Sequence, residues 1–263
     1  MLEKLPTTET DQTKAKGEIQ LEEVAELEAP IKVIIEKIKD RIERGEYGLI
    51  IGDDASGRVP TRILGDFIQK VCDSKGLYKP NIVFMPGKLE KEMESFWSKI
   101  KIEENAAQKQ RQELDDYLTS RGAVKERRVL IITDTLKTGV SLKTLVELLR
   151  ETGYGCDIAT MGIEQPIIGQ GIKESLRGID IFSGEYRRND NPDNSNTPKI
   201  YENKKMSGVS KSFGELKSQR LVDGVDTVLE RDLIQFSIEQ SRKDSKLLTN
   251  KLVDWYLHPE NKK

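Results

Sequence analysis

The sequence contains very little histidine and cysteine. Its 263 residues include one histidine, His258, and two cysteines, Cys72 and Cys156. A single histidine in a polar C-terminal segment nearly excludes histidine-based acid–base catalysis and histidine-rich zinc sites. Two cysteines form neither a disulfide framework nor a CxxC metal site, so we expect both in buried, apolar surroundings. We therefore expect any catalysis to depend on carboxylates, backbone amides, lysine, arginine or Mg²⁺.

Long apolar runs and an excess of charge of either sign are also missing. No run approaches the roughly 20 apolar residues of a membrane-spanning helix, and Met1 to Gln20 lacks the apolar core of a secretory signal. The 43 basic residues are balanced by 45 acidic ones. This balance argues against a nucleic-acid partner, which needs a concentrated basic face. We expect a cytoplasmic protein that binds neither membranes nor nucleic acids.

Segments with helical and strand-like patterns alternate through the first two thirds of the chain. Short apolar runs without alternation are typical of strands buried on both faces, and they occur at 47–52, 81–85 and 129–132. Further strands are predicted at 158–161 and 179–182, and helices at 31–44, 60–74, 89–118 and 142–151. The pattern predicts an α/β fold with a mostly parallel sheet flanked by helices. Ligands of such sheets bind at the carboxyl ends of the strands.

The two ends of the chain differ from this α/β part. Residues 1–17 have no periodicity and are predicted to be disordered. Residues 18–186 form the predicted α/β domain, and residues 187–263 form a C-terminal extension with a loop followed by a helix at 226–257. The apolar residues of this helix need a surface to cover. That surface is either the core or a second copy of the chain in a homodimer.

The segment from Arg128 to Leu142, R-V-L-I-I-T-D-T-L-K-T-G-V-S-L, has a strand, a turn and the start of a helix. One interpretation is purely structural, a strand that leads into a capped helix. The other is a phosphate-binding turn, because the N–H groups and the dipole at a helix N-terminus favour anions. Gly139 would let the backbone approach a phosphate closely. Asp134 would repel a bare phosphate but accept hydrogen bonds from sugar hydroxyls, so the turn suits a ribose 5-phosphate.

The run at 129–142 resembles the phosphoribosyl-pyrophosphate (PRPP) signature of type I phosphoribosyltransferases. That signature has four apolar residues, two acidic residues and then T-x-x-T-G-x-[ST]. The resemblance implies that Asp134 is catalytic and contacts the ribose hydroxyls. It implies a 5-phosphate site formed by Thr135, Leu136, Lys137, Thr138, Gly139, Val140 and Ser141. Thr133 stands where the signature has its first acidic residue, so one carboxylate of that pattern is missing.

A second turn, D-D-A-S-G-R-V-P at 53–60, also follows a strand and opens a helix. Taken alone, it is equally well explained as a helix cap with a solvated Arg58. The resemblance implies a pyrophosphate-binding loop with Ser56, Gly57 and Arg58, and Lys88 adds a charge after the second strand. It also implies Mg²⁺ as cofactor, bridging diphosphate and ribose oxygens.

Different classes of function are compatible with these motifs. The first is a glycosyltransferase of nucleotide metabolism that transfers 5-phosphoribosyl from PRPP to a nitrogenous acceptor, a nucleobase, and releases pyrophosphate. The second is a non-catalytic regulatory protein that binds PRPP or a nucleotide, which Thr133 and the absence of a base-recognition motif favour. A third is a structural or interaction protein that retains only the fold. We expect the transferase first.

Overall fold

A five-stranded parallel sheet forms the centre of the computed structural model. The structure describes residues 17–53, 55, 57–85, 104–136, 139–164, 176–187, 204–210, 219–225 and 227–258. The strands are β1 (Tyr47–Asp53), β2 (Asn81–Met85), β3 (Arg128–Leu136), β4 (Cys156–Glu164) and β5 (Asp180–Arg187). Their order is β2-β1-β3-β4-β5, and all neighbours are parallel. The strand order reverses between β1 and β3, so the carboxyl ends of these two strands flank the crevice where such sheets bind ligands.

Helices cover the sheet and connect its strands. They are α1 (Glu22–Ala25), α2 (Glu28–Glu43), α3 (Arg58–Ser74), α4 (Glu104–Ser120), α5 (Val140–Glu151) and α6 (Val228–Leu257). Short 3₁₀ helices at Lys204–Ser207 and Leu221–Gly224 flank a small antiparallel pair, β6 (Val209–Ser210) with β7 (Gln219–Arg220). No helix among the described residues is long and apolar enough to cross a membrane.

Apolar side chains pack on both faces of the sheet. Successive strand residues point to opposite faces, so Ile50 and Leu130 belong to one buried cluster and Leu49 and Ile51 to another. The first cluster contains the apolar residues of α2 and α3, and the second contains those of α4 and α5. The predicted α/β fold class, a parallel sheet flanked by helices, is confirmed.

The strands extend further than the hydrophobic pattern predicts. We expect β3 to end at Ile132, but Thr135 and Leu136 still pair with Gly162 and Ile163 of β4. The prediction was too short because backbone pairing continues past the apolar run, through residues with hydroxyl and carboxylate side chains. The described part of the long charged segment, α4, is helical as predicted, and the predicted helical residues 89–103 lie outside the described ranges.

The C-terminal helix α6 is buried most completely in its second half, while its first half has a buried side with Ile234 and Ile238 and an exposed side. Leu248 and Leu252 are fully buried in the cluster that also contains α2 and α3. Leu229 and Phe236, nearer the start of the helix, remain 73% and 65% exposed. The second half of α6 therefore covers the core, which is one of the two surfaces that the sequence leaves open. The boundary at residue 186 and the disorder of residues 1–17 stay predictions.

Both cysteines lie in the interior, as the sequence predicts. Cys72 and Cys156 are free thiols, each only 2% exposed. Burial raises the pKa of both thiols, that of Cys156 to about 11. Since the thiolate is the reactive form, burial disfavours nucleophilic reaction at both residues.

A buried carboxylate connects the strands at the end of the sheet where they begin, opposite their carboxyl ends. Asp157, near the start of β4, has no exposed side-chain surface and accepts hydrogen bonds from Arg41, Arg128 and Tyr47. The Arg128 Nε–Asp157 Oδ2 distance is 2.9 Å, and the Tyr47 hydroxyl donates over 3.2 Å. Burial and the Asp157 charge raise the pKa of Tyr47, so its phenol stays protonated and donates. Asp157 therefore joins the beginnings of three strands, β1, β3 and β4, to helix α2.

We expect Asp157→Asn to lower the free energy of unfolding by about 3 kcal/mol, because two arginines lose their buried counter-charge. Urea unfolding monitored by circular dichroism measures this loss. Asp180→Asn is the matched control, since Asp180 also binds Arg41 but its side chain is 59% exposed. The control should cost less than about 1 kcal/mol. Equal losses in the two variants would contradict the role assigned to the buried carboxylate.

Candidate active site

The ends of β1 and β3 bring two acidic residues together. Gly52 of β1 lies opposite Ile132 of β3 in the parallel register. The next residues along the two strands, Asp53 and Thr133, are therefore neighbours, and Asp134 follows directly. All three side chains are at most 5% exposed. Polar side chains this deeply buried need specific partners.

Thr133 links the two carboxylates by hydrogen bonds. Its hydroxyl lies 3.1 Å from Asp53 Oδ2 and 3.3 Å from Asp134 Oδ1, and it donates toward both. The backbone of Asp134 is held from the other side, since the Thr160 hydroxyl of β4 donates to its carbonyl over 3.3 Å. Sequence reasoning identified Asp134 but missed Asp53. The signal was present, because Asp53 ends an apolar strand in the same way that Asp134 follows one.

The turn after β1 lies tightly against the strand ends. The Gly57 N–H donates to the Asp53 carbonyl over 2.9 Å. A Cβ at Gly57 would lie 2.6 Å from that carbonyl oxygen and 2.7 Å from the Ile132 carbonyl oxygen. Any side chain at this position would therefore collide with the backbone of both strands. Ala55 adopts φ +71°, a left-handed conformation that costs a non-glycine residue about 1–3 kcal/mol and is concentrated at functional sites.

Helix α3 begins directly after this turn, with its first residue over an aromatic ring. Gly57 is the N-cap, and no side chain in the described part of the turn caps the helix. The Arg58 guanidinium carbon lies 4.7 Å from the centre of the Phe84 ring, near the end of β2. A cation–π contact of this kind holds a planar guanidinium in place. Arg58 is thus positioned at the carboxyl edge of the sheet, beside the turn that contains Gly57.

The turn after β3 opens helix α5 through a left-handed glycine. Gly139 is the N-cap, with φ +75°, and its carbonyl accepts the N–H groups of Leu142 and Lys143 over 3.1 Å each. Among the described residues no side chain caps this helix, and its first turn contains no acidic residue. Val140, the first helical residue, is 46% exposed. A helix N-terminus with no acidic residue in its first turn has the electrostatic character of an anion site.

The predicted phosphate-binding residues differ in their surroundings. Leu136 packs in the core cluster of α4 and α5, so only its backbone is available to a ligand. The Thr135 hydroxyl is buried and has no hydrogen-bond partner among the described residues. Ser141 is partly exposed at the start of α5. The remaining predicted residues lie outside the described ranges, namely Ser56, Lys88, Lys137 and Thr138.

Over the described ranges, no group of three or more His, Cys, Asp or Glu side chains has the arrangement of a metal cage. The carboxylate pair of Asp53 and Asp134 supplies oxygen ligands of the type that Mg²⁺ prefers. In proteins this ion is usually held by one or two carboxylates together with substrate phosphates. The oxygen donors of this pair therefore match the ligand preference of Mg²⁺.

Three solved structures similar to this chain are phosphoribosyltransferases. A purine phosphoribosyltransferase from Pyrococcus horikoshii Ot3 is 15% identical with a TM-score of 0.35, and the match covers 62% of this chain and 84% of that one. A hypoxanthine-guanine phosphoribosyltransferase from Schistosoma mansoni, in complex with IMP, is 12% identical with a TM-score of 0.35, covering 63% and 66%. An adenine phosphoribosyltransferase from Thermoanaerobacter pseudethanolicus ATCC 33223 is 18% identical with a TM-score of 0.30, covering 60% and 80%.

No protein-family model matches this sequence, and no curated protein matches it significantly. Identities below 20% and TM-scores below 0.5 do not by themselves assign a function.

Proposed function

We propose that this chain transfers the 5-phosphoribosyl group of PRPP to a nitrogenous acceptor, a nucleobase, and releases pyrophosphate. The observation that carries this proposal is the pairing of two glycine turns at neighbouring strand ends. The turn after β3 contains the PRPP-like signature and opens helix α5 through the left-handed Gly139. The turn after β1 packs Gly57 against both strands and presents Arg58. Two anion sites separated by carboxylates suit a sugar with a phosphate at one end and a diphosphate at the other.

The 5-phosphate would bind at residues 135–141. The N–H groups of the first turn of α5 point out of the helix end, and the helix dipole adds positive potential. Gly139 permits close approach of a phosphate, because it has no Cβ and already adopts a left-handed conformation. The hydroxyls of Thr135, Thr138 and Ser141 would donate further hydrogen bonds.

The diphosphate would bind at the turn after β1. Arg58 offers two parallel N–H groups to phosphate oxygens, the geometry in which charge-assisted hydrogen bonds are strongest. The backbone at Ser56 and Gly57 would contribute N–H donors, and Lys88 would add a positive charge. These groups neutralise charge that develops on the leaving pyrophosphate.

The reaction exchanges one bond at the anomeric carbon for another. The bond from this carbon to the diphosphate oxygen breaks, its electron pair leaves with pyrophosphate, and a lone pair of the acceptor nitrogen forms the new bond. The transition state has cationic, oxocarbenium-like character at the sugar. Asp134 would hold the ribose hydroxyls and place negative charge close to that cation. The protein thus acts mainly by positioning and by electrostatic stabilisation.

Mg²⁺ is the cofactor that fits this site. Asp134 and Asp53 are the residues that would hold it, together with diphosphate and ribose oxygens. When bound, it neutralises charge on the diphosphate and makes pyrophosphate a better leaving group.

Calorimetric titration with PRPP and Mg²⁺, followed by a pyrophosphate-release assay with a panel of nucleobases, tests this proposal. We expect PRPP to bind and one nucleobase to trigger pyrophosphate release. Absence of PRPP binding would reject the assignment of the site as a whole.

The alternative function is a non-catalytic regulatory protein that binds PRPP or a nucleotide. Thr133 favours this alternative, because it replaces a carboxylate of the signature. PRPP binding without pyrophosphate release across the whole panel would support the regulatory protein over the transferase. The cytoplasmic location, the absence of nucleic-acid and membrane partners and the homodimer stay predictions from the sequence.

We expect Arg58→Ala to weaken PRPP binding about tenfold more than it weakens ribose 5-phosphate binding. Only PRPP carries the diphosphate, and a charged hydrogen bond to it contributes about 1.5–3 kcal/mol. Competition titrations with the two ligands measure the ratio. Arg62→Ala is the matched control, one turn further along α3, and should leave both affinities within about twofold. Equal losses for both ligands in Arg58→Ala would show that Arg58 does not contact the diphosphate.

A further inference from the structure

We propose that Asp53 is the second carboxylate of the ribose site and supplies, from β1, the charge that Thr133 lacks on β3. This inference depends on the proposed function, because it concerns the same ligand. It assigns Asp53 to the ribose hydroxyls, beside Asp134. Compared with the PRPP signature, the site would then have its second carboxylate on the neighbouring strand β1 and would not lack it.

The register of β1 and β3 puts the Asp53 carboxylate beside position 133. Because Gly52 pairs with Ile132, Asp53 and Thr133 lie next to each other at the ends of parallel strands. The Thr133 hydroxyl reaches Asp53 Oδ2 over 3.1 Å. A carboxylate at position 133 itself would extend into the space that this hydrogen bond now spans. The two positions are therefore alternative sources of one charge at one location.

The hydrogen-bond geometry around Thr133 suits a diol ligand. Thr133 has one hydroxyl hydrogen, while both carboxylates lie within reach of it, at 3.1 and 3.3 Å. A hydroxyl can donate this hydrogen fully to only one acceptor at a time. The two neighbouring hydroxyls of ribose supply two hydrogens, one for each carboxylate. Ribose binding would thus add one donor to each carboxylate.

The diphosphate turn fixes the position of Asp53. The Gly57 N–H donates to the Asp53 carbonyl over 2.9 Å, and Gly57 packs where no side chain fits. The same turn leads directly to Arg58, so the proposed ribose carboxylate and the proposed diphosphate ligand are five residues apart in the sequence. Asp53 would therefore lie on the diphosphate side of the ribose and Asp134 on the 5-phosphate side.

Affinities for inorganic phosphate and ribose 5-phosphate, measured on the full chain without Mg²⁺ and with a chelator, isolate the sugar contribution. We expect Asp53→Asn to weaken ribose 5-phosphate about tenfold or more, the effect of losing a charged acceptor. Phosphate affinity should stay within about twofold, because the phosphate-binding turn after β3 is unchanged. Unchanged ribose 5-phosphate affinity, or equal losses for both ligands, would overturn the proposal. Failure of the unmodified chain to bind either ligand would instead reject the proposed function.

Moving the carboxylate between the strands gives a second, independent test. Asp53→Thr combined with Thr133→Asp keeps the composition of the pair and should restore most of the ribose 5-phosphate affinity lost in Asp53→Thr alone. Failure to restore it in a folded double variant would contradict the equivalence of the two positions. Thr133→Asp alone brings three carboxylates close together. It should therefore weaken ribose 5-phosphate binding relative to the uncharged variant Thr133→Asn. Stronger binding in Thr133→Asp would mean that a charge is missing, and would reject the role of Asp53.

Discussion

Gly139→Val should weaken binding of PRPP and of inorganic phosphate on the order of 100-fold, because it removes the close approach of the backbone that an anion at a helix N-terminus requires. Gly139 has φ +75°, and a β-branched residue is strongly disfavoured in this region. The turn would have to change conformation, which would redirect the N–H groups at the start of α5. Titration of the full chain with both ligands measures the loss.

Gly153→Val is a matched control for this prediction. Gly153 follows the other end of the same helix and has φ +86°, so the substitution imposes comparable backbone strain. The space around it is open, with Lys125 Cδ at 4.0 Å as the nearest atom a Cβ would meet. We expect similar losses of thermal stability in the two variants but a loss of phosphate affinity in Gly139→Val alone. Unchanged affinity in folded Gly139→Val would reject the phosphate-binding turn.

The sheet could be predicted from sequence because its strands are buried on both faces. Runs such as Leu49 to Ile51 and Val129 to Ile132 have no alternation, and both sides of each strand lie in the two apolar clusters. The end of β3 could not be predicted in the same way. Thr135 and Leu136 are held in the strand by backbone pairing with Gly162 and Ile163, and the side-chain pattern does not record this pairing.

The C-terminal helix illustrates a different limit. Its apolar pattern predicts a surface to cover, without saying which of its apolar residues are buried there. Leu248 and Leu252 pack against α2 and α3, whereas Leu229 and Phe236 stay exposed. The difference depends on where a 30-residue helix passes over the core, and this path is a tertiary property.

The candidate site shows the same division between local and long-range information. Asp134, Gly139 and Arg58 follow strands in recognisable local patterns, so each could be named from the sequence. The relation between Asp53 and Thr133 joins residues 80 positions apart. It requires β1 to lie beside β3, although β2 and α4 come between them in the chain. Reading the charges along β3 alone therefore gives one carboxylate where the folded site has two.

Asp134→Asn should lower the rate of pyrophosphate release on the order of 100- to 1000-fold, the loss expected when one stabilising group of a transition state is removed. The amide keeps the size of the side chain but removes the negative charge beside the developing oxocarbenium ion. It also turns one acceptor into a donor, which would face the ribose hydroxyls and the Thr133 hydroxyl unfavourably. Turnover should therefore fall more than affinity for PRPP. Single-turnover release of pyrophosphate, compared with calorimetric binding, separates the two.

Asp157→Asn tests whether the loss of turnover expected for Asp134→Asn is specific to the candidate site. Asp134 and Asp157 are both buried acids of the sheet, near opposite ends of its strands, so each variant removes one buried carboxylate. Asp157→Asn should lower stability but leave the turnover of the folded protein within about twofold, because it does not reach the ligand edge. If Asp134→Asn weakens PRPP binding while no variant or unmodified protein releases pyrophosphate, the site binds PRPP without catalysis. Full turnover in Asp134→Asn would instead reject the catalytic role of Asp134, because this role depends on its negative charge near the proposed transition state.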